Sequence, residues 1–563
     1  MFNWWKTLLS MCVFCVLEVI GSPAQTFNTL CEFSGADGAG PNGGLVQATN
    51  GNFYGATYSG GTSANCGVGL GCGTVFEITP AGKLTTLHSF DLTDGAIPSG
   101  GLVQATNGNF YGTTSFGGTS LNCADGCGTV FEITPAGKFT ALFSFNFTDG
   151  AGPNGGLVQA TNGNLYGTTS GGGTSLSCIG GCGTVFEITP AGKLTTLHSF
   201  DLTDGFGPTG LVQATNGNFY GETQLGGTSS SCSEGCGTVF EITPAGKLTT
   251  LHNFDNSDGS YSAGGLTQAT NGNFYGTTDN GGTSGYGTVF EITPAGKLTT
   301  LHNFDNTDGS YANGVMQATN GNFYGTTEYG GTSGNCNGRC GTVFEITPAG
   351  KLTTLRSFNK TDGSSPTGGL VQATNGSFYG TTQLGGTSGN CSGGCGTVFS
   401  LSVGLGPFVE TRPTSGKVGA KVIILGYNLT DATSVTFNGE AATFRVVSST
   451  EITTSVPSDA TTGKVRVKTP GRTLISNVNF RVSPTISSFS PTSGPVGTNV
   501  VITGKSFIGA STVTFGGVKA TSFTVDSYAQ ITATVPTGAK TGKIGVSTQG
   551  GTATSAETFT VTM

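Results

Sequence analysis

The sequence predicts an all-β protein: a seven-bladed β-propeller of four-stranded blades, its last blade closed by an N-terminal strand, followed by two immunoglobulin-like β-sandwiches. Three observations predict it. The word NGNFYG, or a close variant, returns seven times, with its tyrosine at Tyr54, Tyr111, Tyr166, Tyr220, Tyr275, Tyr324 and Tyr379, and self-similarity at such a period marks a repeat architecture. Each unit holds four short β-like words between turn signals. The ends of the repeat region complement each other: the fourth word stands alone at Thr26–Phe33, before any complete unit, and the seventh unit stops after its third word at Gly396–Ser402.

The second unit shows each element in order. GLVQAT (Gly101–Thr106) is the innermost strand, and Asn107-Gly108 is a tight-hairpin signal leading into NFYGTT (Asn109–Thr114). A loop carrying a cysteine pair precedes GTVFEIT (Gly128–Thr134). Pro135-Ala136-Gly137 then turns the chain into KFTALFSF (Lys138–Phe145). Four antiparallel strands repeated seven times match propeller blades; a linear solenoid would want distinct polar caps. A ring closed by the stray N-terminal strand leaves no open edge. The 98 glycines fall mostly in the repeated turn words, and only 10% of residues are charged, as in a turn-dense β protein.

The domains read as a signal peptide over 1–24, the propeller over 25–405, and two sandwiches over 406–482 and 483–563. Lys6, the apolar run Leu8–Ile20 and Ser22-Pro23-Ala24 form the three parts of a secretory signal. The apolar run is too short to span a bilayer, and no later stretch could, so the mature chain is expected to be secreted or surface-exposed, without a membrane span, and monomeric. Lys and Arg number 13 against 7 Asp and Glu from Leu401 onward, and 10 against 24 before it. An acidic repeat region argues against nucleic acid as a partner. Twelve cysteines pair locally, as Cys66/Cys72, Cys123/Cys127, Cys178/Cys182, Cys232/Cys236, Cys336/Cys340 and Cys391/Cys395, and the fifth unit lacks both members together. In an exported chain these read as loop-closing disulfides; zinc would need four ligands, and each loop offers two. Cys31 is left over.

The repeated GNFYGTT, GTVFEITPAGKLTTL and SF-x-x-x-DG words, over about Thr26–Ser402, resemble the glycine-rich tandem repeat of the choice-of-anchor (GloVer-repeat) family of bacterial exported proteins. The resemblance implies a propeller-like fold and a surface location and carries no assigned activity. Past Leu405 a different duplication begins. Pro413-Thr414-Ser415-Gly416 returns as Pro491-Thr492-Ser493-Gly494, and Val435-Thr436-Phe437 as Val513-Thr514-Phe515. The pattern P-x-x-G-x-x-G followed by V-x-I-x-G, at Pro413 to Leu429 and Pro491 to Phe507, is similar to the IPT/TIG immunoglobulin-like family. That resemblance implies sandwiches serving as spacer or adhesive modules.

Candidate chemistry is sparse. His88, His198, His252 and His302 occupy one column of the repeat, spread round the ring on an expected outer strand, so they do not converge as a Ser-His-Asp site requires. The Asp-Gly turns read as backbone-capping carboxylates, with calcium a weaker alternative at Asp94, Asp204, Asp258 and Asp308 and no other cofactor expected. The glutamines from Gln47 to Gln372 read as a hydrogen-bonded ring near the channel, and the Phe-Tyr pairs as packing between blades.

The repeats disagree most in the two positions after NFYGTT, which include Tyr58, Phe116, Gln224, Asp279, Glu328, Tyr329 and Gln383. Variable loops on one rigid face are a recognition arrangement, with a polysaccharide or an envelope or extracellular protein as the partner. The alternatives are a structural envelope protein and a secreted polysaccharide-active enzyme using Glu222, Asp279 and Glu328, since glycoside hydrolysis needs two placed carboxylates.

Overall fold

The computed structural model describes residues 25–63, 65–66, 71–262, 264–336 and 340–563; the expected signal segment, 1–24, lies outside them. Seven antiparallel sheets form the propeller. Blade two is typical: Val103–Gln104 lies innermost, then Phe110–Thr114, Thr129–Ile133 and, outermost, Phe139–Ser144. The seventh blade is completed from the other end of the repeat region. Thr26–Glu32 pairs antiparallel with Thr397–Ser402, from Thr26 opposite Ser402 to Glu32 opposite Thr397.

The inner strand is shorter than its six-residue word in most blades. In blades four and six it runs longer, as Phe206–Gln213 and Ser310–Gln317. The Asn-Gly turn also differs from a two-residue hairpin. Ala105 N–H donates to the Asn109 carbonyl at 2.9 Å and Gly108 N–H to the Ala105 carbonyl at 2.9 Å. Thr106 and Asn107 therefore form the corner, and Gly108, at φ 87°, supplies the left-handed residue of a three-residue loop.

No single core exists. Seven apolar clusters lie between blades, each joining the Tyr and Val of one blade to the Phe and Ile of the next. The tyrosine of NGNFYG stacks on the phenylalanine of the following blade, as in Tyr54–Phe110, Tyr220–Phe274 and Tyr324–Phe378, with ring centroids 4.0–4.2 Å apart. Blade three breaks the series, because Leu165 stands where the others have Phe and packs on Tyr111 without a ring. The glycine of FYG has a steric cause: a Cβ on Gly112 would lie 2.5 Å from the Phe131 ring.

The glutamines do form a ring. Each Gln Oε1 accepts the backbone N–H of a threonine in the preceding blade, from Thr49 to Gln104 round to Thr374 to Gln47, at 2.9–3.1 Å. This closed circuit marks one face of the propeller, the face of the Asn-Gly turns.

The first sandwich packs a sheet containing Lys421–Leu425 and Glu451–Ser455 against one containing Gly463–Thr469 and Arg472–Val482, over a core that includes Val422, Ile452, Val465 and Phe480. The second repeats the arrangement around Val500, Ile531, Ile544 and Phe559. The first sandwich sits on the glutamine face. Arg412 donates to Gln104 Oε1 and to the Gln47 carbonyl, both at 2.6 Å, and Thr450 Oγ1 donates to the Thr49 carbonyl at 2.8 Å. Between the sandwiches the Tyr528 hydroxyl donates to the Ser458 carbonyl at 2.7 Å.

Candidate functional site

The face opposite the glutamine ring is built from two loops of every blade. The Asp-Gly connection and the cysteine-bearing loop meet there, as where Gly118 N–H donates to the Leu92 carbonyl at 2.8 Å. Six disulfides staple these loops, with Cα separations of 5.1–5.5 Å, and Cys31 is free. Blade five has none, and its loop is short.

The pairing is the expected one, and the two members of each pair differ in burial. Only the first member of each pair, from Cys66 to Cys391, keeps surface in the loop. The second members, Cys72, Cys127, Cys182, Cys236, Cys340 and Cys395, are at most 1% exposed. Each belongs to an apolar cluster between blades, beside the Tyr and Val of its own blade. The cause is position: these cysteines stand two residues before the third strand, at the end of the loop where it meets the packing between blades. Half of each disulfide is therefore core, and the bond ties an exposed loop to the packing between blades. None of these six sulfurs is open to a ligand.

The four Asp-Gly aspartates considered for calcium have both oxygens engaged. In each, Oδ1 accepts a backbone N–H three residues upstream, as at Asp91 and Asp255, at 2.9–3.0 Å. Oδ2 meets Nε2 of His88, His198, His252 or His302 at 2.7–2.8 Å. Treating the histidine and aspartate columns separately misses this pairing, although the constant offset of six residues carries it. Arg356 takes the same place against Asp362. In the blade where Phe143 stands instead, burial pushes the Asp149 carboxyl up. Among the described residues no group of three or more His, Cys, Asp or Glu side chains is arranged to hold a metal ion.

The variable column lies at the outer end of each second strand, and strand register sets a partner opposite every member. Ser260 opposite Asn280 and Ser262 opposite Thr278 place Tyr261 across from Asp279. Ser310 opposite Tyr329 and Ala312 opposite Thr327 place Tyr311 across from Glu328. The same arithmetic sets Gly40 across from Tyr58 and Gly207 across from Gln224. This partner column is left-handed throughout: Gly40, Ile97, Gly152, Gly207, Tyr261, Tyr311 and Ser365 all have φ between 51° and 64°. In six of the seven its N–H donates to the carbonyl of the preceding blade's buried cysteine, as from Ile97 to Cys72 at 2.8 Å and from Tyr261 to Cys236 at 3.2 Å. That bond between blades holds the backbone in place whatever the side chain. For a bulky residue the conformation costs roughly 1–3 kcal/mol, and blades five and six accept the cost for tyrosine. The repeated word Asp-Gly-Ser-Tyr was the signal for it.

Both tyrosines keep surface, Tyr261 at 40% and Tyr311 at 36%, and Tyr286 in the short loop of blade five is 40% exposed. Tyr311 and Tyr329 meet edge to face with centroids 5.2 Å apart. Tyr58 and Phe116 are exposed in blades one and two, away from this group, and Gln383 packs against Gly40 of blade one. The predicted residues therefore divide: Asp279, Glu328 and Tyr329 fall together on adjacent blades, and Tyr58 and Phe116 do not join them.

Glu222 lies deeper. Five blades have Thr in its column, where four of the hydroxyls donate to an inner-strand carbonyl of the next blade, as Thr277 does to Ala312 at 2.8 Å. Glu222 instead pushes a carboxyl between blades four and five, and a Cβ on Gly276 would lie 2.5 Å from its Oε1. It is fully buried and neither oxygen has a hydrogen-bond partner among the described residues. The Ser262 hydroxyl and Gly265 amide lie near enough to ease its charge, but Ser262 Oγ donates to the Thr277 carbonyl at 3.0 Å. Burial first, and then the charge of Asp279, push the Glu222 carboxyl up to about 8. Burial, and then the charge of Glu328, push Asp279 up to about 7. The three carboxyls thus form a track across blades four, five and six, and none has a cationic partner among the described residues.

Comparison with known proteins places both parts of the chain. The Gloeobacter/Verrucomicrobia repeat profile matches residues 19–233, 119–336 and 225–409, and the IPT/TIG domain profile matches 409–482 and 484–561. Among solved structures, a virginiamycin B lyase from Staphylococcus aureus, with quinupristin, is 14% identical, with a TM-score of 0.46 over 67% of this chain and 99% of that one. A surface glycan-binding protein from Prevotella bryantii is 23% identical, with a TM-score of 0.21 over 26% of this chain and 38% of that one. A search of curated proteins returned no match.

Proposed function

The chain belongs to the Gloeobacter/Verrucomicrobia repeat family, and from that premise we propose that it is an exported, non-catalytic binding or adhesion protein that presents the loop face of its propeller to a polysaccharide or an extracellular protein. One observation carries the reading. The immunoglobulin-like domains attach to the glutamine face through Arg412 and Thr450, so the stapled loops and the variable column are directed away from the stalk. The disulfides support an oxidising compartment. No helix among the described residues is long and apolar enough to cross a membrane.

The test is a binding screen of the full mature chain against polysaccharides and envelope fractions, with and without EDTA. The reading expects a saturable ligand that is lost when Asp279 and Glu328 are replaced by Ala. Binding that survives those changes and is lost on altering the sandwiches refutes it. One observation favours a second reading, a polysaccharide-active enzyme: two carboxyls held near neutrality are suited to proton transfer. Glu222 has no exposed surface with which to reach a substrate, which is why binding is preferred. Glycan turnover that disappears in Glu222→Gln would reverse that preference.

A further inference from the structure

This inference rests on the binding reading and names the ligand chemistry. Around the rest of the ring the first position of the variable column is uncharged, with Tyr58, Ser115, Ser170, Gln224 and Gln383. Blades five and six depart from that together, each setting an exposed left-handed tyrosine directly across from a carboxylate. Tyr329 and Tyr286 add two more rings to the same arc. Tyr261, Tyr311 and Tyr286 keep 36–40% of their surface exposed, and exposed aromatic rings are the surface on which a sugar ring or an organic cation rests.

Behind this arc sits an independent feature. Glu222 is a fully buried carboxyl with no hydrogen-bond partner among the described residues, turned towards blade five against Gly276 and within electrostatic reach of Asp279. A packing role does not require it, because Thr fills that column in five other blades. None of the three carboxyls has a Lys or Arg partner among the described residues, and burial first, then repulsion from the charge of Glu328, push Asp279 up to about 7. A bound cation relieves that repulsion. A metal ion is a poor fit, because no three acidic groups among the described residues converge on one point. An ammonium group, with three donors and no fixed coordination geometry, is suited to carboxylates spread along a track.

We propose that the acidic and aromatic arc of blades five and six, with Glu222 behind it, binds a protonated amine carried on a sugar ring, the chemistry of an amino-sugar polymer. The amine lies between Asp279 and Glu328 and the sugar rings lie across Tyr261 and Tyr311, with the buried Glu222 carboxyl behind them.

The experiment is calorimetric titration of the full mature chain with a glucosamine hexamer, an N-acetylglucosamine hexamer and spermidine. Three variants accompany it: Asp279→Asn with Glu328→Gln, Tyr261→Gly with Tyr311→Gly, and Glu222→Thr. Each replaces a residue by an isostere or by the residue that other blades carry at that position, and circular dichroism confirms the fold. The proposal expects the glucosamine hexamer to bind, the acetylated hexamer not to, and the carboxylate variant to weaken binding at least tenfold. Spermidine binding as tightly as the hexamer overturns the saccharide assignment. A neutral polysaccharide that binds and is lost only in the tyrosine variant overturns the amine and leaves the binding function standing. If no polysaccharide or envelope fraction binds at all, both fall.

Discussion

Glu222→Thr is the substitution whose consequence follows most directly from the structure. In wild type burial pushes the Glu222 carboxyl up to about 8 in the fold, against about 4 for an exposed glutamate in the unfolded chain. A folded pKa raised above the unfolded one means that the native state holds the proton more tightly. Stability is therefore greatest below about pH 4, falls as pH rises through the window to about 8, and is level above it. The difference between those two values corresponds to about 5 kcal/mol between the ends of that window. Threonine removes the titration and restores the hydroxyl that Thr168, Thr277 and Thr326 use to bridge blades. The variant's stability relative to wild type should rise by roughly that amount between about pH 4 and pH 9. Both tryptophans, Trp4 and Trp5, lie in the expected signal segment, so the assay is denaturant unfolding followed by circular dichroism, reading the propeller transition at the two pH values. The sandwiches unfold as separate units and must be distinguished from it. Parallel pH profiles for wild type and variant would refute the reasoning, because Glu222 would then be ionised and solvated or paired.

The remaining predictions are briefer. Tyr261→Gly should leave the propeller as stable or up to about 1 kcal/mol more stable, since relief of left-handed strain offsets the entropy of glycine; a loss above about 2 kcal/mol by denaturant titration would show that the ring packs structurally. Leu165→Phe supplies the stack that Tyr111 lacks and should add about 0.5–1.5 kcal/mol, and a lower unfolding midpoint would contradict the packing argument. Arg412→Ala should leave each domain's unfolding unchanged but widen the particle in small-angle scattering, because it removes two bonds that fix the first sandwich to the propeller. Reduction of the disulfides should lower propeller stability by roughly 2 kcal/mol per closed loop in the chain-entropy account, and hydrogen exchange should report no change in the loop of blade five.

Much of this architecture was legible because each unit repeats its constraints. Seven copies of one word expose which positions tolerate change, so Gln104 and its counterparts could be read as a ring and Tyr111 with its counterparts as packing between blades. Closure by Thr26–Glu32 followed from counting strand words. What escaped depends on groups that meet only in space. The His88–Asp94 contact needed the outer strand and the following turn to be placed side by side. Cys127 and its counterparts could be paired from their spacing, but their burial depends on the neighbouring blade that covers them. Arg412 gives no local sign of its partners at Gln47 and Gln104. Glu222 differs from its neighbours by one residue, and sequence cannot tell a surface carboxylate from one wedged between blades. Tyr261 escaped for a different reason: its backbone N–H bonds to the carbonyl of Cys236 in the preceding blade, a contact that is tertiary and not local.

Drift in an idle loop would also make the variable column vary, so the question is whether the changes are independent. The connections leading into blades five and six share LHNFDN and Asp-Gly-Ser-Tyr, which points to a duplication, and duplication alone would give tyrosine twice. It would not give what stands across from those tyrosines. The second strands have diverged at their ends, to Asp279-Asn280 in one blade and Glu328-Tyr329 in the other. The residue beside the acid changed its chemistry altogether, whereas the residue facing the tyrosine changed its length and kept its charge. A carboxylate retained twice is costly in blade five, where burial and a like-charged neighbour both work against Asp279, and the other blades fill the same place with uncharged tyrosine, serine or glutamine. A cost retained through divergence is better explained by a ligand that relieves it than by chance. The same reasoning extends to Glu222, whose burial without a partner among the described residues is the largest departure from symmetry in the ring.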